Sequence, residues 1–285
     1  MTVALIGLAA VILVTALHAV FIAPRDLRLT VIDAPIAGLS GQFDGYTIAV
    51  IADLHHWGTN TKYLQRVVRM SNDAKPDLIA LLGDYGISFE YNRSLSARAY
   101  RHAFPSLLGA LRELRAPDGC VAILGNHDHY YDGRQVSEWL QSIGRVLVND
   151  HIVLQRDHAR LIIAGVGDAY EDRVDPLGGA GRQPSGTPIV VLSHNPDGVE
   201  KLDATAGISL VLSGHTHGGQ IVVPGYGALA THARICGRKT ASGWIPNAKV
   251  SLHVSRGVGV QTPVRFCCPP ELVIVRLRIA DQQPA

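Results

Sequence analysis

The sequence has few cysteines, no repeated segment and no cluster of like charges. Only 4 of its 285 residues are cysteines, and none has the paired spacing of a zinc knuckle or a redox motif. A disulfide scaffold is therefore not expected. Lysine and arginine number 26 against 24 aspartates and glutamates, and the two signs are interleaved along the chain. A surface that binds duplex nucleic acid is not expected either.

The apolar content is high enough for one large folded domain. Apolar residues make up 47% of the chain, which is ample for a buried core. Short apolar runs alternate with amphipathic ones: residues 46–52 and 78–82 have the composition of strands, and residues 64–71 have apolar side chains at helical spacing. This alternation predicts an α/β domain. Further strands are predicted at 121–124, 161–164, 189–192, 210–213, 252–254 and 272–277.

The N-terminal residues differ in kind from the rest. Val3–Ala23 is almost wholly apolar, and no charged side chain occurs before Arg25. About 20 apolar residues are what a helix needs to cross a bilayer. The segment lacks the basic start and cleavage site of a signal peptide and the polar face of a helix packed on a soluble core. We predict a transmembrane anchor or signal-anchor over residues 1–24, a connector over 25–45 and a single domain over 46–285.

The charges beside this segment bear on its orientation. Arg25 and Arg28 directly follow the apolar run. By the positive-inside rule, they favour a cytoplasmic location for the domain.

Polar residues follow the predicted strands at the points where the strands end. The carboxyl ends of strands in an open α/β sheet meet along one crevice, which is the usual position of a ligand. The side chains after these strands are therefore expected to converge. They belong to Asp53, Asp84, Asn126, His127, His194 and His215.

Two of the motifs are weak signals when taken singly. Asp53-Leu54-His55 places two potential ligands on one side of an extended segment, because alternate side chains point the same way. Gly83-Asp84 supplies a carboxylate whose two oxygens can each bind one cation. Each pattern is also typical of an ordinary turn after a strand.

Two further motifs add nitrogen and amide ligands. In Gly125-Asn126-His127-Asp128, the Asn126 carbonyl can bind a metal ion while His127 remains available to donate a proton. Ser193-His194-Asn195-Pro196 adds an imidazole after an apolar run. The first motif also fits an Asx turn, and a lone histidine is more often a hydrogen-bonded core residue than a ligand.

Gly214-His215-Thr216-His217-Gly218-Gly219 is the strongest local signal. Its alternate histidines lie among glycines that let the backbone approach an ion closely. A structural zinc site would need further cysteine or histidine ligands in sequence reach, and the sequence has none there. Oxygen and nitrogen ligands without thiolates suit Mn, Fe, Zn or similar ions and do not select one. The predicted metal ligands are Asp53, His55, Asp84, Asn126, His194, His215 and His217.

The ordered series of these motifs resembles the calcineurin-like metallophosphoesterase superfamily, from Thr47 to the C-terminus. Finer motifs resemble its bacterial, membrane-associated YkuE/YaeI-type phosphodiesterase branch. Members of that branch are similar to UDP-2,3-diacylglucosamine pyrophosphatases of lipid A synthesis. The finer motifs are Lys75-Pro76-Asp77-Leu78, Leu192-Ser193-His194-Asn195-Pro196-Asp197, His217-Gly218-Gly219-Gln220-Ile221 and Ser255-Arg256-Gly257.

The resemblance implies a two-sheet β-sandwich flanked by α-helices, with two divalent metal ions. His127 would protonate the leaving oxygen or stabilise charge on the phosphoryl group. Asp128, its neighbour in sequence, is expected to orient His127 and is included with it among the catalytic residues. The implied ligands are Asp53, His55, Asp84 and His217 for one ion, and Asp84, Asn126, His194 and His215 for the other, with Asp84 as the bridge.

The chain departs from the family pattern at two places. His56 and Trp57 stand where relatives commonly have an aliphatic residue and a glycine, and Tyr85-Gly86-Ile87 lacks a second acidic residue. Neither departure removes a ligand. Both are expected to affect how a substrate fits.

The expected function is that of a phosphodiesterase or pyrophosphatase anchored in a bacterial cell membrane. Its expected substrate is a lipid or nucleotide phosphoester, for example UDP-2,3-diacylglucosamine. Two alternatives stay open: the same site could act on phosphomonoesters, including phosphoproteins, or the chain could be a metal-binding scaffold without catalysis. His127 and the complete ligand set argue against the scaffold.

Overall fold

The computed structural model describes residues 2–58, 60–172, 174–175, 186–202 and 207–280. Met1 of the predicted anchor and residues 281–285 of the predicted domain lie outside this range. The strands are, in chain order, β1 (Arg28–Ile36), β2 (Thr47–Ile51), β3 (Leu78–Leu81), β4 (Cys120–Ala122), β5 (Arg145–Val146), β6 (Asp150–Arg156), β7 (Ala159–Gly165), β8 (Ile189–Leu192), β9 (Ile208–Ser213), β10 (Val222–Val223), β11 (Gly227–Ala228), β12 (Gly243–Trp244), β13 (Leu252–Val254) and β14 (Glu271–Ile279).

The helices are mostly short and follow the strands. They are α1 (Thr2–Leu17), α2 (Thr61–Asp73), α3 (Arg93–Leu111), α4 (Asn126–Tyr131) and α5 (Gly133–Leu140). Helix α2 begins at a cap in which the Asn60 side chain accepts a hydrogen bond from the Tyr63 N–H, as N-cap residues do. Its buried residues include Leu64, Val67 and Val68, at the predicted helical spacing.

Two six-stranded sheets form the frame of the molecule. Sheet one has the order β1-β14-β2-β3-β4-β5, in which β14 is antiparallel to β2 and the other neighbours are parallel. Sheet two has the order β12-β13-β9-β8-β7-β6, with antiparallel pairs at both ends and parallel pairs between them. Strands β10 and β11 form a separate hairpin.

The central strands are buried on both faces. In β2, Ile48 and Val50 lie in the cluster between the sheets, together with Leu210 of sheet two. Ala49 and Ile51 lie in a second cluster with side chains of α2 and α3. A third cluster covers the outer face of sheet two. Burial on both faces explains why these strands are continuous apolar runs. The predicted two-sheet fold flanked by helices is confirmed.

The strands predicted from apolar runs are all present, but one strand lies where a connector was predicted. Strand β1 occupies much of 25–45 and pairs in parallel with β14, with Arg28 opposite Glu271. It is an edge strand, so its other side has no neighbour to accept a hydrogen bond, and Pro35 is tolerated there. Asp33 and Pro35 interrupt the apolar run, so the sequence pattern does not indicate a strand here.

The N-terminal helix projects from the domain. Helix α1 continues through a π turn (His18–Ile22) into a 3-10 turn (Ala23–Arg25). The run Ala4–Arg25, 22 residues long, is the one helix among the described residues that is long and apolar enough to cross a membrane. Its large apolar side chains are exposed, whereas Ala19 and Ala23 near its end are buried against the domain.

Candidate metal centre

The structure brings the seven predicted ligands together at one end of the sandwich. Asp53, Asp84 and Asn126 follow β2, β3 and β4 of sheet one, and His194 and His215 follow β8 and β9 of sheet two. Within each sheet these strands are parallel neighbours. Their carboxyl ends therefore meet at one edge, as the sequence predicts.

The first group of side chains contains two facing imidazoles and two carboxylates. The Nε2 atoms of His55 and His217 are 3.0 Å apart. His217 Nε2 is 3.9 Å from Asp53 Oδ1, and His55 Nε2 is 3.5 Å from Asp84 Oδ2. These four residues make up one predicted set of ligands.

The second group shares Asp84 with the first. His194 Nε2 lies 3.3 Å from Asp84 Oδ2 and 3.2 Å from Asn126 Oδ1. His215 Nδ1 lies 3.0 Å from Asn126 Oδ1 and 3.2 Å from His194 Nε2. Asp84 thus stands between the two groups, where a bridging ligand would be.

Three of the histidine rings contact a backbone carbonyl oxygen through the ring nitrogen that points away from the centre. His55 Nδ1 is 3.3 Å from the Gly86 carbonyl oxygen, His194 Nδ1 is 2.7 Å from that of Leu82, and His215 Nε2 is 3.0 Å from that of His232. A carbonyl oxygen can accept a hydrogen bond but cannot donate one, so each ring carries a proton on its outward nitrogen. The inward nitrogens of the neutral His55 and His215 rings then present lone pairs, which is how metal-binding histidines are held. The donor set fits divalent ions.

Burial keeps three of the predicted histidine ligands neutral. Desolvation lowers the pKa of His55 to about 3 and that of His215 to about 4. It also holds the pKa of His217 well below its usual range. These imidazoles are neutral at physiological pH and can act as ligands.

The carboxylates make the centre favourable for positive charge. Burial raises the pKa of Asp53 to about 7. Burial would raise the pKa of Asp84 as well, but His194 and His127 outweigh it and hold that pKa well below its usual range. Burial would lower the pKa of His194, yet Asp84 and Asp53 raise it. The two carboxylates thus stabilise a cation between them, whether a proton or a metal ion.

Backbone strain is concentrated at the ligands. The φ angle is positive at Asp53 (55°), His55 (39°), Asp84 (56°), His215 (72°) and His217 (52°). The left-handed region is uncommon for residues other than glycine. Such conformations persist where the surrounding fold enforces them, and they cluster at functional sites.

His127 lies beside the first group of ligands. Its ring meets the His55 ring edge to face, with centroids 4.9 Å apart. Its backbone N–H donates to Asp84 Oδ1 over 2.9 Å. The ring Nδ1 is 3.0 Å from Ser88 Oγ and 3.2 Å from the Ser88 carbonyl oxygen. Ser88 is therefore the residue that fixes the orientation of the ring.

The contact predicted between Asp128 and the His127 ring is not found among the described residues. Asp128 Oδ2 accepts hydrogen bonds from the N–H groups of Asp84 (2.9 Å) and Gly125 (2.8 Å). Its Oδ1 accepts from the Tyr85 N–H (3.1 Å) and the Tyr100 hydroxyl (2.8 Å). The carboxylate is saturated by these four donors. Asp128 holds the loop that carries Asp84, and this corrects the predicted role.

Two buried residues near the centre were not predicted. Asp168 follows β7 as the ligands follow their strands, and its charge favours the protonated forms of His194 and His215. Its position after a strand is a signal that could have identified it. Arg265 is fully buried and donates to the carbonyl oxygens of His217 (3.3 Å) and Gly259 (2.7 Å). No local pattern distinguishes Arg265 in the sequence.

A cavity of about 1010 Å³ opens over the centre. Asp84, Asn126, His127, His215 and His217 contribute to its lining. Apolar and aromatic side chains also line it, namely Phe89, Tyr91, Tyr130, Tyr170, Ile221, Leu229 and Val264. The cavity thus combines polar, metal-binding groups with a largely apolar wall, as ligand sites commonly do.

The residues that depart from the family pattern lie elsewhere. His56 and Trp57 line a different cavity, and His56 Nε2 is 2.9 Å from Ser106 Oγ. The Tyr85 side chain is buried in the core, where its hydroxyl donates to the Ile123 carbonyl oxygen over 2.9 Å. The expected effect on substrate fit therefore lacks support from the lining of the large cavity.

Comparison with known proteins identifies the family of this chain. A family model described as calcineurin-like phosphoesterase matches residues 46–219. The chain is 32% identical to the metallophosphoesterase YkuE of Bacillus subtilis, over 83% of this chain and 80% of that protein. It is 27% identical to the UDP-2,3-diacylglucosamine pyrophosphatase LpxG of Chlamydia trachomatis, over 89% and 90%. It is 29% identical to the phosphodiesterase YaeI of Escherichia coli, over 81% and 82%.

Proposed function

The chain belongs to the calcineurin-like phosphoesterase family and is a phosphoester hydrolase, and we propose that it is a membrane-anchored phosphodiesterase or pyrophosphatase that uses two divalent ions. The observation that carries the proposal is the position of Asp84. Its Oδ2 lies within 3.5 Å of His55 Nε2 and 3.3 Å of His194 Nε2. One carboxylate thus joins two groups of ligands beside a large cavity.

The proposed ligands keep the roles that the motifs imply. Two divalent ions held there would neutralise charge on the phosphoryl oxygens. They would also lower the pKa of a water molecule, so that it could attack as hydroxide near neutral pH. The ligands would be Asp53, His55, Asp84 and His217 for one ion and Asp84, Asn126, His194 and His215 for the other.

We assign to His127 the proton transfer to the leaving oxygen. Its Nδ1 contacts Ser88, so Nε2 is the nitrogen available to exchange a proton with a ligand in the cavity. The edge contact with His55 and the hydrogen bond from its N–H to Asp84 place the ring beside the centre. A histidine so placed contributes a factor of about 10² to 10⁴ to such reactions.

An amphiphilic substrate is supported by the wall of the cavity. Phe89, Tyr91 and Leu229 line it and remain 42%, 92% and 54% exposed. Large exposed apolar side chains around a polar site indicate a ligand with an apolar part. UDP-2,3-diacylglucosamine, on which LpxG acts by its name, is such a molecule.

The N-terminal helix supports attachment to a membrane. Leu5, Ile6, Val11 and Val14 on its surface are 59% to 65% exposed, and such a surface is stable in hydrocarbon but not in water. Arg25 and Arg28 follow the span and favour a domain on the cytoplasmic side of a bacterial cell membrane.

Hydrolysis of bis-p-nitrophenyl phosphate with added manganese tests the proposed chemistry. Asp84→Asn and His127→Ala should each lower kcat by about 100-fold or more, because one weakens both metal sites and the other removes the proton donor. His158→Ala, at an exposed position in the β6–β7 turn, is the matched control and should retain full activity. Equal rates in all these proteins would refute the mechanism.

Substrate class needs a separate comparison. The purified full-length protein should hydrolyse bis-p-nitrophenyl phosphate faster than p-nitrophenyl phosphate, and it should cleave UDP-2,3-diacylglucosamine in mixed micelles. A strong preference for the monoester would instead favour a phosphomonoesterase. Cleavage of the soluble diester without cleavage of the lipid would retain the chemistry and reject this lipid as substrate.

A further inference from the structure

A second cavity lies where the N-terminal helix meets the domain. Its volume is about 510 Å³, which is within the range of small-molecule sites. Val20 and Pro24 of the helix end form part of its wall, and Tyr63 and Leu64 of α2 form another part. The cavity is thus bounded partly by the helix that we propose to be a membrane anchor.

The helix end is fixed against the domain at this point. The Arg265 N–H donates to the Ala19 carbonyl oxygen over 2.9 Å, and Ala19, Ala23 and Pro24 are buried. Residues 4–18 are exposed along the apolar helix. The cavity therefore lies at the level where the span would leave the hydrocarbon core of a bilayer.

The interior of this cavity suits a hydrocarbon chain. The polar groups of two lining side chains already have partners: the Tyr63 hydroxyl donates to the Val258 carbonyl oxygen over 2.6 Å, and His56 Nε2 is 2.9 Å from Ser106 Oγ. The remaining lining is largely apolar. An apolar site offers water few hydrogen-bonding partners and favours an apolar occupant.

Two lining side chains are also exposed and suit the interface of a membrane. Trp57 is 48% exposed, and Arg25 is exposed beside it. Arg66 of α2 donates to the Arg25 carbonyl oxygen over 2.9 Å and adds a second positive charge nearby. Tryptophan and arginine are typical of the headgroup region, and basic residues there attract anionic lipids.

No described residue lines both cavities, but the second cavity is lined by the predicted metal ligand His55, and one further segment of chain has residues in the wall of each cavity. Val260 and Pro263 line the second cavity, whereas Gln261, Thr262 and Val264 line the cavity over the metal centre. A ligand in the second cavity can therefore be a molecule other than the substrate.

We propose that the second cavity binds an acyl chain of an anionic phospholipid from the surrounding bilayer, with Arg25 paired to the phosphate of its headgroup. The inference rests on the proposed membrane anchor and is independent of the proposed catalysis. The chain fills the space between the helix end and α2, and thereby holds the domain in a defined orientation at the membrane surface.

Photocrosslinking of the full-length protein in lipid nanodiscs tests this site. The probe is phosphatidylglycerol with a diazirine at the end of one acyl chain, diluted into phosphatidylcholine, and labelled peptides are mapped by mass spectrometry. Label is expected in residues 54–67 and 259–263 as well as on the helix. Label confined to residues 4–22 would overturn the proposal.

Variants separate the cavity from non-specific contact with lipid. Val260→Trp fills the cavity and should lower labelling of residues 54–67 severalfold, whereas Val153→Trp, at an exposed position on β6, should not. Arg25→Gln should remove a preference for phosphatidylglycerol over phosphatidylcholine carrying the same diazirine. Equal labelling of wild type and Val260→Trp at 54–67 would overturn the site. Equal labelling by both lipids in the wild type would overturn the assignment to an anionic lipid.

The substrate is the competing occupant, and Asp84→Asn distinguishes it. This variant should be labelled as the wild type is, because the lipid site does not depend on hydrolysis. Loss of its label on addition of UDP-2,3-diacylglucosamine would assign the cavity to a chain of the substrate and overturn the assignment to a bilayer lipid. Retention of the label would support the bilayer lipid whatever the catalytic assays show.

Discussion

At the scale of single residues, the centre depends on groups that hold the ligands in place. Three histidines are fixed through backbone carbonyl oxygens of Gly86, Leu82 and His232. The Asp84 loop is held by Asp128. Such supporting contacts determine the direction of each lone pair, and their loss commonly lowers metal affinity or activity by about 10- to 100-fold.

Substitution of Gly125 should disturb the bridging carboxylate directly. A Cβ at this position would lie 2.3 Å from Asp84 Oδ1 and 2.7 Å from His194 Cε1. The φ of −109° at Gly125 is accessible to alanine. The substitution should therefore displace Asp84 and His194 rather than strain the backbone conformation of residue 125. Gly125→Ala should lower kcat for bis-p-nitrophenyl phosphate by about 100-fold.

The control for this prediction is Gly109→Ala. A Cβ at Gly109 would have no neighbouring atom within 4 Å, and alanine is the better helix former. Its activity should equal that of the wild type. Full activity and full metal content in Gly125→Ala would show that the close approach to Asp84 is unnecessary.

Asp128 and Ser88 should have separable effects. Asp128→Asn replaces an acceptor with a donor opposite backbone N–H groups, so it should loosen the Asp84 loop and weaken manganese binding by about 10- to 100-fold. Ser88→Ala should lower kcat by about tenfold with manganese binding unchanged, because it removes the hydroxyl contact to the His127 ring and leaves only the contact with the backbone carbonyl oxygen. Calorimetry and steady-state kinetics measure both. Normal manganese binding in Asp128→Asn with reduced kcat would indicate that Asp128 orients His127 after all.

At the scale of elements, the first and last strands among the described residues are neighbours in sheet one. Strand β1 directly follows the N-terminal helix, and it pairs with β14 near the C-terminus. The Arg265 backbone binds the helix end while the Arg265 side chain binds the His217 carbonyl oxygen. The position of the helix is thus connected to a proposed metal ligand through a single residue.

Charges in the middle of the helix should detach the protein from membranes. Leu8 and Ile12 are exposed on the helix surface, and arginine near the centre of a span costs about 2.5 to 3.5 kcal/mol for each residue. The double variant Leu8→Arg/Ile12→Arg should move from the membrane pellet to the soluble fraction after an alkaline carbonate wash. Val153→Arg should remain in the pellet. Release of the wild type by the same wash would contradict an integral anchor.

At the scale of the whole molecule, the two sheets share one core and one functional edge. The inner cluster contains residues of both sheets, and each sheet supplies part of the ligand set. Stability and metal geometry are therefore linked, because any change in the packing between the sheets moves His194 and His215 relative to Asp53 and Asp84.

Acid should destabilise the fold through a buried histidine on β13, the strand that pairs with β9. Burial lowers the pKa of His253 to about 4 from its usual 6.5, so the unfolded chain binds this proton more tightly than the folded one. The stabilisation is complete above pH 6.5 and is lost as the pH falls towards 4. By linkage the loss at pH 5 is about 2 kcal/mol.

The thermal unfolding midpoint of the full-length protein in detergent measures this effect. His253→Phe keeps a ring against Trp244, whose centroid is 5.2 Å from that of His253. Between pH 7.5 and pH 5, the wild type should lose about 4 to 8 °C more than the variant, given about 2 to 4 °C for each kcal/mol in a domain of this size. Equal losses would show that His253 is not buried in its neutral form.

Much of the fold was predictable from local patterns, and so was the convergence of the seven predicted ligands at one edge of the sheets. Strands such as Ile189–Leu192 and Leu252–Val254 are buried runs with the predicted bounds, because a strand covered on both faces must be apolar throughout. Strand β1 was not predictable in this way, because an edge strand tolerates Asp33 and Pro35. Its assignment depends on pairing with residues more than two hundred positions away.

The sequence by itself determined the α/β class and the order of the predicted ligands, because each motif is a polar segment that follows a predicted strand. The resemblance of this motif series to a known family implied the two-sheet fold. Only the tertiary structure decided that Ser88 rather than Asp128 contacts the His127 ring, that Arg265 supports His217, and that a second cavity lies beside the helix end. These contacts join residues distant in the chain. Their geometry follows from how the sheets and the helix pack, which no local pattern of residues specifies.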